Sequence, residues 1–207
     1  MKAIQLKATA AEIARVTTGT AANHFREMQA GKLVEKGLPG RHGGVVISNS
    51  GRVNTLLGFI FDPPFGESRV ALVKRLRRLA VSHAVFNPLG KKAPPEDSKA
   101  AAHQFVEGIG VNFSADLGTA LDGIVGAFRT GAFGSWEAGS HVDITVEFNG
   151  ERSAAIYIDR PAVNLAATFL YYPSDARPPG PMERITRLSR KAFEMLATDN
   201  ETAPDQD

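Results

Sequence analysis

The stretch Ala10-Ala11-Glu12-Ile13-Ala14-Arg15-Val16-Thr17-Thr18-Gly19-Thr20-Ala21-Ala22-Asn23-His24-Phe25-Arg26-Glu27-Met28-Gln29-Ala30-Gly31 decides how this chain of 207 residues is read. It holds two helical patterns. Thr9 followed by Glu12 has the spacing of a capping box, which predicts a short helix opening there. Thr17-Thr18-Gly19-Thr20 interrupts it, because glycine accepts a left-handed backbone and Thr20 offers an oxygen to cap a second helix. Over 21–30, Ala22, Phe25 and Met28 or Gln29 fall at helical spacing, and Gly31 supplies a stop. Beyond it, 33–35 and 45–47 are strand-like runs joined by Lys36-Gly37-Leu38-Pro39-Gly40-Arg41-His42-Gly43-Gly44, which predicts a hairpin with a basic, glycine-rich tip. Ser48 and Asn49 can cap a further helix to about Phe61, with Val53, Leu56, Leu57 and Ile60 on one face and Asp62-Pro63-Pro64 as its end. Ile13, Ala14, Phe25, Met28, Leu33 and Val46 are the expected core of this region.

Helix, turn, helix, two-stranded wing, helix is the order of a winged helix-turn-helix. Residues 10–34, with the Ile13-Ala14 pair, the turn glycine Gly19 and Gly31-Lys32-Leu33-Val34 leading into the glycine-rich wing, resemble the motif of bacterial and phage transcription regulators. Together with Ser48 through Leu57 they are similar to the MerR-like winged-helix superfamily, over about residues 3–61. The cysteines and long coiled coil of its metal sensors are missing, so the resemblance does not imply metal sensing. It implies that helix 21–30 enters the major groove, where each base pair shows a distinct pattern of donors and acceptors. Thr20, Asn23, His24, Arg26 and Glu27 become the candidate DNA contacts, with Asn23 suited to bidentate pairing with adenine. Lys36, Arg41 and His42 of the wing would meet phosphates or the minor groove.

Charge is segregated along the chain. Residues 1–92 carry 15 Lys/Arg against 5 Asp/Glu, and residues 93–207 carry 9 against 17. A basic half suited to a polyanion is thereby joined to an acidic one. Residues 67–81 predict an amphipathic helix with Leu72, Val73, Leu76 and Leu79 on one face and Lys74, Arg75, Arg77 and Arg78 on the other. The proline-bearing stretch 91–100 reads as a linker, which divides the chain into a DNA-binding domain over 1–90 and an acidic module over 101–197. The last residues, 198–207, read as a disordered tail.

In the acidic module, Phe113, Leu117, Leu121, Ile124, Val125 and Phe128 predict a core helix. Val142–Phe148, the turn Asn149-Gly150 and Ala154–Ile158 predict a hairpin, and Leu165–Tyr172 a third strand of an antiparallel meander. A closing helix is expected over Met182–Leu196. The fold class is therefore α+β: an N-terminal winged helix-turn-helix, then a small α+β module with a three-stranded sheet and flanking helices. That module suits self-association as a homodimer, ligand sensing or docking of another protein.

Composition excludes other classes. With Cys 0 there is no disulfide framework and no thiolate chemistry. No apolar run reaches the roughly 18 residues of a membrane span, and the N-terminus lacks a secretory pattern, so a cytoplasmic address without membrane contact is expected. The five histidines lack metal-site spacing, and no cofactor is expected. Gly37-x-x-Gly40-x-x-Gly43-Gly44 lacks the ending of a phosphate loop, Gly108-Ile109-Gly110 lacks a dinucleotide signature, and Ser135 misses the nucleophile-elbow spacing by one residue. The expected role is a sequence-specific, dimeric DNA-binding regulator rather than an enzyme. An architectural DNA-binding factor and a protein-docking adaptor are the alternatives.

Overall fold

The first helix, α1 (Ala3–Ala14), begins earlier than its expected cap: Gln5 Oε1 accepts from the Lys2 backbone N–H at 3.0 Å, and Thr9 lies inside the helix. Residues 1–36, 45–88, 97–137, 142–150, 152–163, 165–173 and 185–198 are described in this computed structural model. They fall into two compact units, Met1–Lys74 with Glu194–Asp207, and Arg75–Phe193.

In the first unit α1 ends at Arg15, whose φ of 55° is the left-handed conformation that closes many helices. Thr17 then caps α2 (Thr18–Ala30), its hydroxyl accepting from the Thr20 N–H at 3.3 Å. The turn is thus Arg15-Val16-Thr17, and Gly19 lies within the first turn of α2 with open space at its Cα. The third helix, α3 (Asn49–Ile60), is capped by Ser48 Oγ on the Gly51 N–H at 3.0 Å. These three helices pack on one another around Leu6, Ala10, Ala21, Phe25, Met28, Val53, Leu56 and Leu57. From Gly51 to Phe59 every residue of α3 is buried, as expected of a central helix. One of them is Arg52, fully buried, which donates to the Ile47 carbonyl at 3.2 Å and to the carbonyls of Leu196 at 2.8 Å and Ala197 at 3.2 Å. A guanidinium here caps the final turn of α8 (Arg190–Ala197), where unpaired carbonyls and the helix dipole favour a cation.

Residues 33–36 and 45–48 form no strand in the described chain, and the wing tip 37–44 lies outside the described residues. Other bonds tie these segments down. Glu35 Oε1 accepts from the Ser48 N–H at 3.3 Å, Asn54 Nδ2 donates to the Leu33 carbonyl at 2.7 Å, and the Ile47 N–H donates to the Met1 carbonyl at 3.3 Å. Val46, expected in the core, is 68% exposed, and its neighbour Ile47 is buried in its place, since an extended chain turns successive side chains to opposite sides.

The second unit is built on a five-stranded antiparallel sheet, not the expected three, in the order β1-β4-β3-β2-β5. Its strands are β1 (Ala80–Pro88), β2 (Asp143–Asn149), β3 (Ser153–Arg160), β4 (Leu165–Tyr172) and β5 (Ile185–Ser189). β1 adds to β4, and β5 adds to β2, enlarging the predicted meander at both edges. The expected hairpin forms between β2 and β3, but Asn149 belongs to the ladder opposite Ser153, and Gly150 follows it at φ 57°. Ile144, Val146, Phe148, Ile156, Ile158, Phe169 and Tyr171 turn to one face and are buried. On that side α5 (Ser98–Val106) packs against β1 and β4, and the Tyr171 hydroxyl donates to the Phe113 carbonyl at 2.9 Å. α6 (Leu117–Thr130) buries Leu117, Leu121, Ile124 and Val125, with Asp116 rather than Phe113 at its start, and α7 (Ala132–Glu137) comes after it.

Two further boundaries move. Asp97 Oδ1 caps α5 by accepting from the Ala100 N–H at 2.9 Å, so residues 98–100 of the expected linker are helical, while 91–96 lie outside the described residues. The closing helix starts at Arg190, because Ile185–Ser189 pair with β2. Of the expected tail, Thr198 donates its N–H to the Glu194 carbonyl, and 199–207 lie outside the described residues.

Candidate nucleic-acid interface

Helix α2 separates its residues by face. Ala21, Phe25 and Met28 are buried, at spacings of four and three, while Thr20, Asn23, Arg26 and Glu27 are exposed. Asn23 and Arg26 make no hydrogen bond or ion pair with the described residues, which leaves an amide with two donors and an acceptor and a planar five-donor fork turned to solvent. Thr20 is partly occupied: its hydroxyl and that of Thr17 lie 3.0 Å apart.

His24 and Glu27 sit differently. The His24 ring meets Phe59 of α3 edge-on, with centroids 5.8 Å apart at 72°, and its Nδ1 is buried with no hydrogen-bond partner among the described residues. Burial, then the Arg69 guanidinium, lower its pKa, and the carboxylates of Glu27 and Asp62 oppose that shift. The neutral imidazole is therefore favoured, and the ring serves the packing of α2 on α3. Glu27 accepts from Arg69 Nε at 3.2 Å. Its charge is partly offset, since the same guanidinium also pairs with Asp62, and its side chain is 55% exposed.

Arg69 is the residue that periodicity alone did not single out. It opens α4 (Arg69–Arg77), is 7% exposed, and donates through Nη1 to the carbonyls of Gly58 at 2.6 Å and Phe61 at 2.5 Å, and through Nη2 to Asp62 at 3.3 Å. One guanidinium thus joins the C-terminal end of α3, the loop after it and α2. The sequence did carry a signal: Arg69 stands three, four and seven residues before Leu72, Val73 and Leu76, on the apolar stripe of its own helix.

Lys36 is exposed just before the wing tip; Arg41 and His42 fall outside the described residues. Along α4, Lys74, Arg75 and Arg78 are exposed, whereas Arg77 forms a two-pronged pair with Asp122 of α6 at 2.9 and 2.6 Å. Among the described residues no three His, Asp or Glu side chains gather as a metal site, and no helix is long and apolar enough to cross a membrane. Ser114 Oγ lies 3.2 and 3.4 Å from the two ring nitrogens of His103. An oxygen nearly equidistant from both lies along neither ring-nitrogen lone pair, which is not the alignment of a nucleophile and its base. No family model, no curated protein and no solved structure matches the chain.

Proposed function

We propose that the first unit binds duplex DNA as a helix-turn-helix of the winged type, with α2 in the major groove, and that the chain is a sequence-specific transcription regulator acting as a homodimer. The observation that carries this reading is the outer face of α2. Thr20, Asn23 and Arg26 stand exposed on a helix fixed from behind by Ala21, Phe25 and Met28. A rigid helix with an amide and a guanidinium free on one face suits direct readout, in which Asn pairs with adenine and Arg with guanine. Glu27, whose charge Arg69 partly offsets, adds an acceptor with less repulsion than a bare carboxylate would meet near phosphates. Lys36, and the wing with Arg41 and His42, would track the backbone.

The test begins with duplexes enriched from a random pool by the full chain. Asn23→Ala and Arg26→Ala should each weaken the enriched site by about 1–3 kcal/mol and leave random DNA nearly unaffected. Arg41→Ala should weaken both alike and lower the salt slope by about 1. Uniform salt-sensitive binding with no enriched site would replace this reading by an architectural role, and no binding at all by protein docking.

A further inference from the structure

Two features remain without a task. The first is Phe65, whose ring is fully exposed, at 108% of the reference area. It sits in Asp62-Pro63-Pro64-Phe65-Gly66-Glu67, where two prolines restrict the backbone before it and Gly66, at φ 85°, takes the left-handed conformation that turns the chain after it. The Glu67 N–H closes the turn on the Pro64 carbonyl at 3.0 Å, and buried Arg69 holds the base of the loop through Phe61 and Asp62. A large apolar side chain held out on a stiffened turn loses little entropy when it docks. The neighbouring Asp62 side chain is 92% exposed and pairs with Arg69 through one oxygen.

The second is a depression on the sheet face opposite α5. Cross-strand register explains it. Asn149 pairs with Ser153 and Ile185, and Glu147 with Ala155 and Arg187, while Ala155 also pairs with Leu170. The small residues Ser153 and Ala155 therefore form a floor, and Glu147, Asn149, Tyr157, Leu170, Tyr172 and Ile185 stand around it, outlining an open depression of ≈ 150 Å³. A cavity of about that volume lined by apolar side chains holds one benzene ring. Ile185 is 61% exposed at its edge. Arg187, 66% exposed beside it, uses Nε and Nη2 on Glu147 and leaves its other donors unused among the described residues.

We infer that the chain self-associates by inserting Phe65 of one copy into the tyrosine-walled depression of a second copy, with Asp62 of the first meeting Arg187 of the second. Ring and depression agree in size, Tyr157, Leu170, Tyr172 and Ile185 supply apolar wall beside the polar Glu147 and Asn149, and Asp62 meets the Arg187 donors that Glu147 leaves unused. Aromatic anchors in such pockets carry most of the affinity in many interfaces. Reciprocal insertion places two rings in two cavities per dimer, the self-complementary arrangement that closed dimers require.

Sedimentation of the full chain without DNA tests this, so its outcome is independent of the DNA reading. The chain should sediment as a dimer at micromolar concentration. Phe65→Ala should raise the dissociation constant roughly 30-fold or more for each ring removed from its cavity. Ala155→Leu, which fills the depression, should do the same, and Tyr172→Ala removes a wall should the filled variant fold poorly. Labelled Phe65→Ala should sediment faster with an excess of Ala155→Leu but not with an excess of itself, because only the mixture restores one ring and one empty cavity. A monomeric wild type, undiminished association of folded Phe65→Ala, or no rescue in the mixture would overturn the inference.

Discussion

Replacing Arg69 separates what a buried guanidinium does for carbonyls from what it does for carboxylates. Its Nη1 bonds reach the carbonyls of Gly58 and Phe61 at 2.6 and 2.5 Å, where α3 has run out of intrahelical donors. Removing the donor leaves buried acceptors, at about 1–3 kcal/mol each. The carboxylates behave differently: the Glu27 and Asp62 side chains are 55% and 92% exposed, so water replaces the guanidinium and each pair contributes about 0–1 kcal/mol. Arg69→Ala should therefore cost about 3–5 kcal/mol in all, including the packing of its stem, whereas Glu27→Gln and Asp62→Asn should each cost less than about 1 kcal/mol. Hydrogen exchange on the full chain reads this locally: protection of amides in 18–30 and 49–60 should fall by two orders of magnitude or more in Arg69→Ala and change little in the carboxylate variants. Equal losses in Arg69→Ala and Glu27→Gln would refute the reasoning, since they would place the stabilisation in the ion pair.

Gly51→Ala should destabilise the first unit by about 1–3 kcal/mol, because a Cβ there would lie 2.3 Å from Glu35 Oε2 and 2.7 Å from Ile47 Cγ2; the same exchange protocol over 49–60 checks it. His24 and His103 both have pKa values lowered mainly by burial, so the unfolded chain binds protons more readily; stability present above about pH 6.5 should decline as pH falls below it. In urea melts across that range, His24→Gln should flatten the decline, and an unchanged pH profile would contradict the placement of the ring. Asp159 faces Asp143 across β2 and β3, and burial, then that neighbour, raise its pKa; Asp159→Asn should raise the melting temperature at neutral pH by a few degrees and lose this advantage as acid protonates the native residue. Tyr171→Phe should cost about 1 kcal/mol in the second unit, because the Phe113 carbonyl loses its buried donor.

Local pattern was enough for α3, whose cap and end fall where the sequence places them, and for the presence of α2, α6 and the β2–β3 hairpin, although α2 and α6 begin at other caps, Thr17 and Asp116. It failed at both edges of the sheet. Leu79, Ala80 and Val81 continue the apolar stripe of α4, so the start of β1 reads as helix until β4 is there to pair with it. Ile185 and Leu188 lie at the right distance from Ala192 and Leu196 to extend α8, and only the ladder to Glu147 and its neighbours makes them a strand. Edge strands draw their stability from partners distant in sequence, and periodicity cannot see those.

The same limit bears on charge. Arg52, Arg69 and Arg77 count toward the basic half, yet two are buried on carbonyls and the third is paired with Asp122. Their charges are committed to the fold, and few phosphates could reach them. The exposed cations described in the first unit are Lys2, Arg15, Arg26, Lys32, Lys36 and Lys74. Each phosphate neutralised releases counterions and steepens the salt dependence of binding by about 0.9, so the slope counts surface cations and not formal charge. Lys36→Ala should make the slope shallower by about that amount, because Lys36 is assigned to the backbone. A conservative Arg52→Lys should leave the slope unchanged while lowering stability, since a single ammonium cannot reproduce the fork that binds Ile47 and the end of α8. A slope set by formal charge would respond equally to burial and exposure, and Arg52→Ala, where it folds, would then shift it as much as Lys36→Ala does, which makes the comparison a direct measure of how much of the basic half faces a polyanion.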